Sequence, residues 1–244
     1  IAVAAESGYP ALRARAQCAR AVIHATARQG EAAEAMMADA MAALSEEPRH
    51  APARAACLTL RSQFGYFLED AEAMIRDATA ALDLLERMPV PSQIVRIDAM
   101  NALAYGHYLA RHTRQSEETY ARLWAMLEQS GIERTSMGAS MLGNWSLVHF
   151  RGDIARAEAL CRRAVETRRA SESAESILPS ATFNHAGALL ALARYDEARR
   201  LLDETIATAA VREEHRIRFD AMIERADLDV GRGDLAAIAA QRAR

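Results

Sequence analysis

The chain repeats itself. Residues 34–44, EAMMADAMAAL, and 72–82, EAMIRDATAAL, are identical at eight of eleven positions, at an offset of 38. Glu, Met, Asp and Leu match as well as alanine. Looser echoes follow: GDIARAEALCRRAVE at 152–166, RYDEARRLLDETI at 194–206 and GRGDLAAIAAQRA at 231–243. Each is a polar turn, then a small residue, then an amphipathic helix. Self-similarity at this period marks a solenoid. One two-helix unit cannot bury its apolar faces alone, and stacking on neighbours supplies a continuous core.

The small residue early in the second helix of each unit anchors the spacing. The anchors are Ala35, Ala73, Glu118, Ala157, Ala198 and Ile238, in steps of 38, 45, 39, 41 and 40. These steps leave room for two helices of three to four turns and two short turns. The 55 alanines against 11 glycines and 6 prolines favour helix almost throughout. The expected fold is all-α: a right-handed superhelical solenoid of stacked antiparallel helix hairpins, a single array over 1–244. Its units fall near 11–48, 49–90, 91–133, 134–176, 177–210 and 211–244. The breaks are SGYP at 7–10, EEPRHAP at 46–52, MPVPS at 88–92, SGIERT at 130–135 and the polar 171–180 stretch. Residues 1–6 read as the end of a preceding helix, and the chain as a piece of a longer protein. Ala35, Ala73, Ala157 and Ala198 are expected to be buried where the two helices of a hairpin touch.

A formal charge of -3 excludes the positive excess of a general nucleic-acid binder. No apolar run reaches the ~18 residues needed to span a bilayer. Cys18, Cys57 and Cys161 are far apart with no CxxC spacing, which reads as three buried thiols in a reducing cytoplasm.

Catalytic patterns are missing. The seven histidines, His24, His50, His107, His112, His149, His185 and His215, form no HExxH. No GxGxxG, GxxxxGK[ST] or GxSxG occurs, and Gly65, Gly106, Gly138, Gly143 and Gly187 read as packing points inside helices. The expectation is no catalytic residue, no metal and no cofactor.

The units resemble the tetratricopeptide repeat (TPR). In the fourth, the positions of the family pattern fall on Met141, Trp145, Val148, Gly152, Asp153, Ala157, Cys161 and Ala164. In the fifth they fall on Thr182, Ala186, Leu189, Ala198, Leu202 and Thr205. In the third they are Ala102, Gly106, Leu109, Glu118, Arg122 and Ala125. In the first they are Ala19, Ile23, Thr26, Gly30, Ala35, Asp39 and Ala42. Trp145 stands where the family has a small residue and Asp39 where it has a bulky apolar one. The period is nearer 40 than 34. The chain thus looks like the degenerate, long-period arrays of bacterial multidomain regulators. That resemblance implies a non-catalytic scaffold binding protein or peptide, the regulatory arm of a signalling or transcription-regulatory protein. A small-ligand sensor and a dimerisation module are the alternatives it leaves open.

In such a stack the first helix of each hairpin lines the concave face. The register then points Arg20, His24, Arg28, Ser62, Tyr66, His107, Arg111, Ser146, His149, Phe150 and Phe183 into a peptide-binding groove. The one-turn spacing of Arg20, His24 and Arg28, echoed by His107 and Arg111, predicts a basic strip for an acidic or C-terminal carboxylate segment. A homodimer is the other expected partner.

Overall fold

A computed structural model describes residues 9–27, 29–68, 70–171 and 179–231. Twelve α-helices run through these residues: α1 Pro10–Thr26, α2 Gly30–Ala42, α3 Ala51–Ser62, α4 Phe64–Leu68, α5 Ala71–Glu86 and α6 Gln93–Leu109, then α7 Thr113–Gln129, α8 Ser136–His149, α9 Ile154–Ser171, α10 Pro179–Ala191, α11 Tyr195–Val211 and α12 His215–Gly231. No strand occurs among the described residues. The helices pair in sequence as antiparallel hairpins, α1 on α2, α3 on α5, α8 on α9 and α10 on α11, and the hairpins stack. The fold is an all-α, TPR-like solenoid. The chain forms two compact units, Ile1–Leu123 and Trp124–Arg244, with the boundary inside α7. The expected helices at 1–6 and 235–243 and most of the 171–180 linker lie outside the described residues.

Polar side chains start several helices. Asp70 accepts from the Ala73 N–H at 2.9 Å and Asp153 from that of Arg156 at 3.0 Å. Each satisfies a first-turn donor that has no partner within its own helix. Arg111, Ala193 and Glu213 end α6, α10 and α11 in the left-handed region, at φ 64°, 57° and 57°. After α6 and α10 the next N–H reaches five residues back, His112 to the His107 carbonyl at 2.8 Å and Arg194 to that of Leu189 at 2.9 Å. This closure satisfies carbonyls at the helix end and turns the chain sharply.

The second helices carry the repeat. Ala33, Met37, Ala40 and Leu44 are buried on or just past α2, and Met74, Ala78, Ala81 and Leu85 on α5. Ser116, Tyr120, Leu123 and Leu127 follow on α7, Ala157, Cys161, Ala164 and Arg168 on α9, and Ala198, Leu202, Thr205 and Ala209 on α11. The leading residues step by 41, 42, 41 and 41. Of the expected anchors, Ala157 and Ala198 are fully buried, Ala73 is half-buried and Ala35 is exposed. The correction has a helical cause. The matched strings lie 38 apart, whereas the buried rows lie 41 apart, and three residues is nearly one turn of 3.6. An alanine-rich string therefore almost matches itself in either register.

The helical run after residue 51 is broken at Gln63, between α3 and α4. Gly65 explains the tight corner: a Cβ there would lie 2.3 Å from the Asp70 carbonyl oxygen and 2.7 Å from Met74 Cβ. Gly106 likewise admits α5, with Ile75 Cγ1 at 2.9 Å. Gly143, by contrast, has open space where its Cβ would be. Gly65→Ala should therefore lower the melting temperature, the neighbouring atoms being backbone or held by it. Gly143→Ala, free of contacts within α8, should gain up to about 1 kcal/mol of helix propensity. Thermal melts of the two variants check the pair of signs.

Cys18 and Cys57 are joined by a disulfide between α1 and α3, with Cα atoms 5.5 Å apart, and both residues are fully buried. The expectation of three free thiols is corrected here. Their separation of 39 residues matches one repeat, so the stacking itself brings equivalent positions of adjacent first helices together. Cys161 alone is free, and burial pushes its thiol up to about 11. Closing a loop of this length stabilises by about 4 kcal/mol in the chain-entropy account. Denatured, unreduced protein should show one reactive thiol by alkylation mass spectrometry, and reductant should lower the melting temperature. Three reactive thiols would contradict the pairing.

Candidate functional site

The helical register that buries Ala14, Cys18, Ala21 and Ala25 turns the adjacent face of α1 outward. Leu12, Arg15, Ala16 and Ala19 on that face form one wall of a groove. Ala56, Thr59, Leu60 and, just past its end, Gln63 of α3 form the floor, and Ile94, Val95 and Asp98 of α6 the far wall. Three successive first helices of the first unit thus line a cavity of about 400 Å³. Ala16, Ala19 and Ala56 leave the space. Leu12 and Ile94, 46% and 61% exposed, give it an apolar rim. Thr59 spends its hydroxyl on the Ala55 carbonyl at 2.9 Å.

Two charges line this groove from opposite walls, Arg15 and Asp98. Neither has a hydrogen bond or an ion pair among the described residues. Burial raises the Asp98 carboxyl above its ordinary value of 3.8. Below that ordinary value the group is protonated both folded and unfolded, and its charge costs nothing. As pH rises through the raised folded value, ionisation penalises the folded chain and stability is lost. Asp98→Asn should therefore melt above wild type at neutral pH, with the two curves converging in acid. A variant that melts lower at neutral pH would show Asp98 to be held by a partner.

Eight of the eleven expected groove residues appear elsewhere on the described helices, Arg111 and Phe150 lie in the turns after α6 and α8, and Arg28 lies outside the described residues. None of the ten described ones lines the cavity. Arg20 is exposed on α1, and His24 Nδ1 meets Gln29 Oε1 at 2.6 Å. Ser62 is fully buried and donates to the Thr59 carbonyl at 2.6 Å. Tyr66 meets Phe67 and Tyr105 edge-on, ring centroids 5.1 and 5.5 Å away, and Tyr105 in turn contacts Tyr108. His107 stands 5.7 Å from His112, and burial and then that second imidazole lower its pKa. Arg111 is exposed. Ser146 is buried, donating to the Gly143 carbonyl at 2.7 Å and accepting from the Cys161 thiol at 3.1 Å. His149 and Phe150 are half-buried, with Phe150 beside Gly187. Phe183 packs on Ala186, Leu202 and Ala221. The grouping that does form is aromatic, around Tyr66.

Other polar clusters tie helices together within and between hairpins. Arg61 grips buried Asp77 with two bonds of 2.7 and 2.8 Å. Buried Glu158 receives His185 at 3.2 Å, Arg194 at 3.2 Å and Arg162 at 3.5 Å, joining α9 to the next hairpin. Desolvation lowers the His185 pKa against the pull of Glu158. Arg225 bridges Asp203 and Asp229, and Arg199 reaches Asp229 at 3.3 Å. Among the described residues no three His, Cys, Asp or Glu gather as metal ligands, and no helix is long and apolar enough to cross a membrane.

No family model matches the chain, and no curated protein matches it in sequence. Solved structures do match in fold. BtubC (BKLC) from P. vanneervenii shares 15% identity at a TM-score of 0.69, over 94% of this chain and 87% of its own. A Rap protein complexed with Competence and Sporulation Factor shares 15% at a TM-score of 0.71, over 95% of this chain and 63% of its own. A kinesin-light-chain candidate from Podosopora anserina with nearly identical TPR-like repeats shares 15% at 0.60, over 84% of this chain and 99% of its own. At this identity the likeness is one of fold, and it is a TPR-like fold.

Proposed function

We propose that this chain is a non-catalytic scaffold that binds a protein or peptide segment, serving as the regulatory arm of a larger bacterial signalling or transcription-regulatory protein. The groove of the first unit carries this reading: the first helices of three successive hairpins present an apolar rim and two charges, unpaired among the described residues, around one cavity. Its volume lies at the lower end of the ~300–1,000 Å³ of ligand sites and suits a few side chains of a segment. The Rap protein, a neighbour in fold, is complexed with Competence and Sporulation Factor, which supports a ligand-accepting role for such an array. The acidic segment expected at Arg20, His24, Arg28, His107 and Arg111 is a rival proposal on other residues.

A homodimer is the second reading, favoured by α12. Phe219, Met222, Ile223 and Val230 are exposed along it. Light scattering reads that state directly. A cytoplasmic location and the Cys18–Cys57 bridge pull in opposite directions, because disulfides persist chiefly in oxidising compartments. The thiol state of the protein in the cell decides between them.

The scaffold reading is tested by selecting a displayed random-peptide library on the whole chain. Peptides should be enriched, and Ala19→Trp, which fills the groove, should abolish their binding without unfolding the protein. No enrichment, or enrichment indifferent to Ala19→Trp, would overturn the assignment to this groove.

A further inference from the structure

Arg15 and Asp98 face one cavity, yet they do not neutralise each other. The fold holds them on different helices, α1 and α6, with α3 between as the floor. A carboxylate half-removed from water with no counter-charge among the described residues is unfavourable in the empty chain, and a ligand that supplies the counter-charge recovers that loss. The surroundings of Asp98 narrow the chemistry. Ile94 and Val95 precede it by one turn on the same helix, and Leu12 and Leu60 line the cavity from the other two. That is a surface for an aliphatic stem ending in a cation.

We propose that this groove seats a basic residue of a partner polypeptide, an arginine or lysine whose charge meets Asp98 and whose apolar neighbours cover Leu12, Leu60 and Ile94. The proposal rests on the scaffold reading and specifies what that groove recognises. Long basic side chains lay their methylenes along apolar walls while the head stays polar. Arginine is favoured over lysine because its planar fork meets a carboxylate through two parallel hydrogen bonds. Arg15 on the opposite wall takes a carboxylate of the same segment, from a side chain or a chain end. The ligand is therefore dipolar, and Arg15 and Asp98 fix its direction. A nucleic acid is disfavoured here because Asp98 repels phosphate. A bare metal ion is disfavoured because a single carboxylate in an apolar cavity cannot replace its hydration shell.

The test uses fluorescein-labelled short peptides with Arg, Lys, Gln or Glu at the centre of a Leu/Ala/Ser background, titrated by polarisation against the whole chain. The Arg-centred peptide should bind most tightly. Asp98→Asn should weaken it roughly tenfold or more, the loss of one charge-assisted contact, without lowering the melting temperature. Asp98→Arg should reverse the preference toward Glu. Because the chain contains no lysine, carbodiimide coupling of the Lys-centred peptide reports contacts between the two molecules, and peptide mapping should place the junction at Asp98. Equal binding of all four peptides, a Glu preference in wild type, unchanged affinity in Asp98→Asn or a junction elsewhere would overturn the basic-residue assignment and leave the scaffold reading standing. If no peptide of this set or of the displayed library binds, both fail together.

Discussion

Everything in this chain depends on one buried row per repeat. On each second helix, four positions spaced i, i+4, i+7 and i+11 are removed from solvent, and the row returns every 41 or 42 residues through α11. That spacing is the stripe of a helix packed along one face. Alanine at the leading or inner places lets helices approach closely. Met37, Leu85, Leu127 and Leu202 supply the volume that fills the layers between them. Three polar residues of the row are tied down by hydrogen bonds. Ser116 donates to the Ala104 carbonyl at 2.7 Å, Arg168 to Ser140 Oγ at 2.6 Å and Thr205 to Thr182 Oγ1 at 2.8 Å. Each bond crosses from the second helix of a hairpin to the first.

Because the second helices and the inner face of each first helix make the core, the outer face of each first helix is left for other work. In the first unit that face lines a cavity, and Arg15 and Asp98 there have no hydrogen bond or ion pair among the described residues. The contrast with Asp77 is instructive. Asp77 and Asp98 are both partly or wholly withdrawn from water, but Asp77 is clasped by Arg61 and Asp98 is not. Asp77 is part of the packing; Asp98 lines the cavity. The disulfide between α1 and α3 ties together two of the three helices that line the cavity.

The architecture was largely legible in the sequence, because repetition, helix breakers and composition all point the same way. The breaks fall where the sequence marks them: MPVPS at 88–92 directly precedes Gln93–Leu109, and SGIERT at 130–135 separates Thr113–Gln129 from Ser136–His149. The register was legible only where a row carries distinctive residues, as around Cys161 and Leu202. In α2 alanine fills both the buried and the exposed faces, so Ala35 and Ala33 look alike in a string while only Ala33 is buried. The cavity was not legible for the same reason: a shift of a residue or two carries the outward face of α1 from Arg15 and Ala19 to Arg20 and His24. One signal was present. Asp98 is a lone acid within IVRIDAM, an otherwise apolar stretch with one arginine, and such a charge needs an explanation. The Cys18–Cys57 pair was hidden by distance along the chain, although a separation close to one repeat is what stacking would bring together.

The account stands or falls on the placement of the buried row, and a pair of substitutions two residues apart reads it. Ala33→Leu inserts volume into a position with no exposed surface and should cost on the order of 1–3 kcal/mol, lowering the denaturation midpoint. Ala35→Leu places the same side chain on the exposed face of the same helix and should leave the midpoint within about 0.5 kcal/mol of wild type. The reverse order, with Ala35 sensitive and Ala33 tolerant, would contradict the 41-residue register and with it the groove built upon it.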